Sequence, residues 1–174
     1  MTRIVLCALL CGFMAVGTTA CSKGESSSES GAIGEGSGGP VQGSDAAIPT
    51  IKQAVRVWMH DQPTVDLVGA ELGGKITART PSEAVMHFDG YRAILTTAGD
   101  IVVRIAFHFD TAKPTLFQLT ELYGQPEEVS KGALLETEVP VTGRRVRMLA
   151  RTVDLPPTES TLVEGLLLDA PRAR

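Results

Sequence analysis

Three histidines stand beside carboxylates, as His60-Asp61, His87-x-Asp89 and His108-x-Asp110. Such neighbours can share a proton or begin a metal site, because imidazole and carboxylate both ligate zinc-like ions. On a strand, residues i and i+2 point to one face, so His108 and Asp110 could hold an ion between them. Two ligands fall short of the four in a closed site, and the sequence suggests no third or fourth. A solvent-facing histidine on an amphipathic strand is the simpler account. His60 and His87 are expected near helix ends, where positive charge is mildly favoured. No metal or other cofactor is expected.

Nucleophiles are few beyond residue 44: Ser82, Ser130 and Ser160. None lies in Gly-x-Ser-x-Gly or Ser-x-x-Lys, and Ser82 falls in an expected helix start. Glu127-Glu128 falls in an expected loop with no sign of burial. No catalytic residue is assigned. The sharpest charge pattern is Arg144, Arg145, Arg147 and Arg151, a candidate contact for an anion or a partner. A hairpin turning on Pro140-Val141-Thr142-Gly143 would pair Val139 with Arg144. Antiparallel register then sets Glu138 opposite Arg145, Glu136 opposite Arg147 and Leu134 opposite Leu149. Opposite charges so placed contribute roughly 0.2–1 kcal/mol each, so a neutralised, solvated sheet face explains these arginines more simply.

All three cysteines, Cys7, Cys11 and Cys21, fall in the first 21 residues. There Arg3 precedes an uncharged apolar run from Ile4 to Val16, followed by Gly17, Thr18, Thr19 and Ala20. This is the n-region, h-region and small-residue pattern of a secretory signal. The run is too short for a spanning helix, which needs about 20 residues. Thr18-Thr19-Ala20-Cys21 resembles the lipobox of bacterial lipoproteins, with Thr18 where that family prefers Leu. The resemblance implies cleavage after Ala20 and acylation of Cys21, which anchors the chain to a lipid bilayer. In a Gram-negative cell, Ser22 after the cysteine implies the outer membrane, facing the periplasm.

Residues 21–44 read as the lipidated cysteine and a Ser/Gly-rich linker. More than half of residues 22–44 are Ser or Gly, too few of the rest being apolar to offset ordering entropy. Residues 45–170 form one domain and residues 171–174 a fraying tail. The chain has 174 residues, 43% hydrophobic and 21% charged, with a net charge of -4. These are globular values, and the acidic balance argues against nucleic acid as a partner.

The elements follow from periodicity. Ile51, Ala54, Val55 and Trp58 mark one face of a helix, with Thr50 and Gln53 as a capping box. Thr64 to Ala70 and Lys75 to Arg79 read as strands joined at Gly73-Gly74. Thr80-Pro81-Ser82-Glu83 announces a second, short helix ending near Asp89-Gly90. Tyr91 to Thr97 and Ile101 to Phe109 make a hairpin whose odd-numbered residues from Ile101 face the core. A third helix carries Leu116, Leu119, Leu122 and Tyr123, with Gly124 to cap it and Pro126 to stop it. Ala133 to Val139, Arg144 to Val153 and Leu162 to Leu168 are further strands. The order αββ-αββ-αβββ implies an α+β domain, an antiparallel sheet of about six to seven strands with about three helices on one face. Pro49, Pro81 and Pro114, 32 and 33 residues apart, hint at an internal repeat.

Leu122-Tyr123-Gly124-Gln125-Pro126, followed by Val129, is similar to a helix-ending phrase in small envelope lipoproteins, including accessory lipoproteins of outer-membrane β-barrel assembly. That family runs two helices and then three strands, which this order does not follow, so no binding residue is carried over. The expected function is a non-catalytic envelope lipoprotein that binds another envelope protein. A small-ligand-binding lipoprotein and an envelope hydrolase without a recognisable motif are the alternatives.

Overall fold

The computed structural model describes residues 43–171. The signal segment, Cys21, most of the linker and residues 172–174 lie outside that range. Three helices, α1 (Ile48–Val57), α2 (Val65–Leu72) and α3 (Leu116–Tyr123), accompany eight strands. The strands are β1 (Lys75–Arg79), β2 (Glu83–Phe88), β3 (Tyr91–Ala98), β4 (Ile101–Phe109), β5 (Glu127–Val129), β6 (Gly132–Glu138), β7 (Arg145–Thr152) and β8 (Val163–Asp169). All eight form one antiparallel sheet in the order β1-β2-β3-β4-β8-β7-β6-β5. The class is α+β, as the sequence predicts. The sheet has eight strands rather than six or seven, and the order is ααββββ-αββββ.

Two expected elements exchange identity. Thr64 to Ala70 is not a strand but the start of α2. Val65, Val68 and Leu72 are buried at helical spacing, and that spacing overrides the β-branched residues that suggest a strand. The Thr64 side chain caps the helix by accepting from the Leu67 N–H, and Gly73 closes it with φ 71. The Gly73-Gly74 pair is therefore a helix end rather than a hairpin turn. Conversely, Thr80 to Glu83 opens no helix. The Thr80 hydroxyl does accept from the Glu83 N–H at 3.0 Å, but the Thr80 N–H also donates to the Glu83 carbonyl at 2.7 Å, closing a hairpin turn. Beyond it Ala84 and Met86 are buried in alternation, which only a strand provides. His87 accordingly sits on β2, not at a helix end.

Helix α1 buries the expected face, Ile51, Ala54, Val55 and Trp58. Its start lies earlier than expected, at Ala47, with no side-chain cap. Thr50 instead exchanges a hydrogen bond with the Tyr91 hydroxyl at 2.7 Å, and Gln53 donates to Glu71. Helix α3 has the capping box of Thr115 and Gln118, and Gly124 at its end with φ 88. Gly43 and Ser44, assigned to the linker by composition, are held here: the Ser44 N–H donates to the Lys113 carbonyl at 2.8 Å. Ser44 is thus tied to the domain through the Lys113 backbone.

The halves follow one plan. Pro63-Thr64 and Pro114-Thr115, 51 residues apart, each introduce a helix that ends on a positive-φ glycine. Pro63 accepts from the Val102 N–H and Pro114 from the Val163 N–H, both at 2.8 Å. A four-stranded meander follows each helix, and the meanders meet where β4 pairs with β8. The equivalent positions lie 51 residues apart at the helices and 61 apart at the last strands, so the proline spacing of 32 and 33 does not mark this shared plan.

Helices and sheet share one core, with Ile105, Phe107, Leu166, Leu168 and Met148 almost wholly buried. On β4 the odd residues from Ile105 face inward as expected, but Val102 is buried and Val103 is 36% exposed. The register explains this inversion. Thr96 pairs with Arg104 and Thr97 with Val102, leaving Val103 as a bulge that flips the alternation. Tyr91 stacks on Phe88 at 4.6 Å, and burial raises its phenol's pKa, opposed by the Thr50 hydrogen bond.

Phe107→Ala should cost about 3–5 kcal/mol in urea unfolding, and His108→Ala no more than about 0.5 kcal/mol. Equal losses would overturn the assignment of the two sheet faces.

Candidate functional site

The helices cover one face of the sheet and leave the other open. Pairing register orders the open face into rows, since residues directly opposite in antiparallel strands project to the same side. The first row runs Glu83, Thr96, Arg104, Asp169, Arg147, Glu136. It is neutralised internally: Arg104 donates to Asp169 at 2.7 Å and Arg147 to Glu136 at 2.8 Å. Beside it Arg145 lies 3.8 Å from Glu138. The β6–β7 register is the one the sequence predicts, with the Val139 N–H donating to the Arg144 carbonyl at 2.8 Å. The Arg144 side chain turns away to Asp61, at 3.0 Å.

The second row crosses seven strands without a polar residue: Ala78, Val85, Ile94, Ala106, Leu167, Leu149 and Leu134. All are exposed or only partly buried. The open face of an antiparallel sheet is ordinarily polar. Here Ala78 is exposed and the other six are partly buried, so the row is apolar where a polar one is usual.

The third row runs Lys75, His87, Arg92, His108, Gly165, Arg151. Every side chain in it is basic except the glycine, which has none. Among the described residues none of these five basic groups has a carboxylate within ion-pair distance. Its directly opposite pairs set a histidine against a lysine or an arginine, and none has the opposite charges that steady the first row. The other half of the molecule supplies a comparison. Exchanging the halves about the Ala106–Leu167 pair carries His87, Arg92 and His108 onto Glu136, Arg147 and Asp169. The same fold positions thus hold a neutralised row in one half and a basic row in the other.

The basic and apolar rows meet in a cleft of about 410 Å³ at the β4–β8 seam, lined by Arg92, His108, Leu149, Arg151, Gly165 and Leu167 among others. Two carboxylates reach its rim. Glu164 lies 3.8 Å from Lys113, and Asp110 lies past the end of β4.

Of the residues singled out by sequence, Arg151 belongs to this cleft, whereas Arg145 and Arg147 sit in ion pairs on the same face. His87 and His108 are brought into one row with Arg92 between them, while His60 lies apart, 3.8 Å from Glu71. Among the described residues no three His, Cys, Asp or Glu side chains gather as a metal site. Ser82 lies between β1 and β2, Ser130 between β5 and β6, and Ser160 contacts the Thr158 hydroxyl at 3.2 Å. Lys75, Arg92 and the apolar row carry no local signal, since only the strand order aligns them. The Gly124-Gln125-Pro126 phrase is accounted for by the end of α3.

No protein-family model, no curated protein and no solved structure matches this chain.

The rows differ in what they contribute to stability. Arg147→Gln should lower it by about 0.2–1 kcal/mol at low ionic strength, whereas Arg92→Gln should leave it unchanged or raise it by a similar amount. Urea unfolding of both variants checks this, and a larger loss at Arg92 would show that its row is structural.

Proposed function

We propose that this chain is a lipid-anchored envelope protein whose domain binds another envelope protein, without catalysis, on the open face of its sheet. The observation that carries this reading is the apolar row across seven strands on a face that none of the three described helices covers. Contiguous apolar surface rimmed by charge is characteristic of interaction sites. The neutralised row on one side and the basic row on the other form such a rim. The anchor rests on the signal-like residues 1–20 and on Cys21. Each buried acyl CH₂ contributes roughly 0.8 kcal/mol, and two chains suffice for stable attachment. One observation favours a second reading, a small-ligand binder: the cleft's 410 Å³ lies in the range of small-molecule sites.

A photo-crosslinking amino acid at Leu149, in the full chain in intact cells, should give a discrete protein adduct that the same group at Val141 does not. Cys21→Ser should release the domain into the soluble fraction and abolish the adduct. An adduct at Val141 with none at Leu149 would place the partner elsewhere. A Cys21→Ser chain as firmly membrane-bound as the parent would place the anchor elsewhere.

A further inference from the structure

Gly165 sits in the middle of the basic row, paired on one side with His108 and on the other with Arg151. A glycine inside a strand weakens it and often marks a place where a ligand or another backbone approaches closely. Its own packing accounts for part of the choice, since a Cβ there would lie 3.1 Å from the Phe107 carbonyl oxygen. That contact faces the neighbouring strand, however, and does not explain the basic side chains that surround the missing one. His108 and Arg151 stand two strand spacings apart, about 10 Å, with no side chain between them. Arg92 follows on the next strand. The counterpart of Gly165 in the other half is Arg104, whose guanidinium fills the equivalent place and pairs with Asp169. A cleft of about 460 Å³ lies at the counterpart positions too, lined by Thr96, Arg104 and Asp169, but there the guanidinium is paired. The notch at Gly165 opens into the cleft whose basic side chains make no ion pair among the described residues.

We propose that this notch receives a carboxylate side chain of the docked protein partner, held by Arg92, His108 and Arg151. The inference rests on the docking reading above and names the chemistry of its partner: an acidic residue flanked by apolar ones. Guanidinium groups present planar, paired donors that match a carboxylate, and such charge-assisted bonds are about twice as strong as neutral ones. None of the three basic side chains makes an ion pair within the described residues, so all are available to the incoming anion. Of the two carboxylates at the rim, Glu164 lies 3.8 Å from Lys113 and Asp110 makes no ion pair among the described residues, so Arg92 and Arg151 with His108 face one unpaired carboxylate and the lining stays net basic. The adjoining apolar row requires the ligand to bring apolar side chains on the same surface, which a protein does and a free acid does not. A bilayer surface is flat, and the notch lies at the bottom of a cleft in mid-sheet.

The test uses the full chain and three probes: poly-L-glutamate, free glutarate, and vesicles of phosphatidylcholine with phosphatidylglycerol. Poly-L-glutamate should bind, and Arg92→Gln combined with Arg151→Gln should weaken it about tenfold or more. Arg147→Gln, from the neutralised row, should change binding by less than about twofold. Gly165→Ala should weaken binding with every arginine in place, which separates a shaped notch from a general positive field. Circular dichroism checks that each variant folds, and the arginine variants decide the matter if the alanine variant does not. Equal losses from Arg147→Gln and the double variant would overturn the proposal. So would glutarate binding as tightly as the polymer, which would mean a free-acid site. Vesicle binding through Arg92 and Arg151 without polymer binding would overturn it in favour of lipid. The crosslink at Leu149 separates this idea from its parent. If the adduct persists undiminished in the double variant, docking stands and the carboxylate notch falls. If no adduct forms while the polymer binds through the notch, the anion site stands and docking on this face falls.

Discussion

The pairing of β4 with β8 is the interaction on which the rest of the molecule depends. Five residue pairs, from Arg104–Asp169 to His108–Gly165, join two four-stranded meanders into one sheet. On the helix side this seam buries Ile105, Phe107, Leu166 and Leu168, among the most enclosed side chains in the core. On the other side it places Ala106 against Leu167 and His108 against Gly165, the centre of the open face. Neither half alone has the three rows, because each row is completed only across the seam. Two partner strands far apart in sequence must find one register, and a slip of one residue would send Phe107 to the solvent face.

Elements whose signals are local were legible in the sequence, and the long-range arrangement was not. The β3–β4 hairpin, α3 with its Gly124 end, and the Glu136–Arg147 register follow from alternation, caps and a single turn, whereas the capping box lies at Thr115 and Gln118 and not at Thr50. The two exchanged elements show where local signals mislead. Thr80-Pro81-Ser82-Glu83 makes the hydrogen bond of a helix start, yet only five residues separate it from the Asp89-Gly90 turn, and alternation prevails there. Val65 and Val68 are β-formers by type, but with Leu72 they are helical by spacing, and the buried face decides. The inversion at Val103 could not be read from β4 alone, because a bulge exists only relative to the partner strand.

The site was less legible than the fold. Arg151 was visible as part of an arginine cluster, but its grouping with Arg145 and Arg147 follows sequence proximity rather than environment. Those two are paired, whereas Arg151 shares a row with residues as distant as Lys75. His87 and His108 were each weighed against a carboxylate two positions on, while their structural neighbour is Arg92. Rows perpendicular to the strands draw one residue from each strand, so no window along the chain contains them. The duplicated plan brings the asymmetry out: equivalent positions are neutralised in one half and basic in the other.

The central claim is that the open face, and not the helical one, is covered in the cell. Among residues 45–171 there is no cysteine, so a single introduced one reports on its own position without competition. Cysteines placed singly at Leu149 and at the turn residue Val141 should both react with a membrane-impermeant maleimide in the purified protein. In isolated envelopes with the outer face opened, the account predicts that the cysteine at position 149 is protected and the one at 141 is not. Equal labelling of the two in the envelope would contradict it.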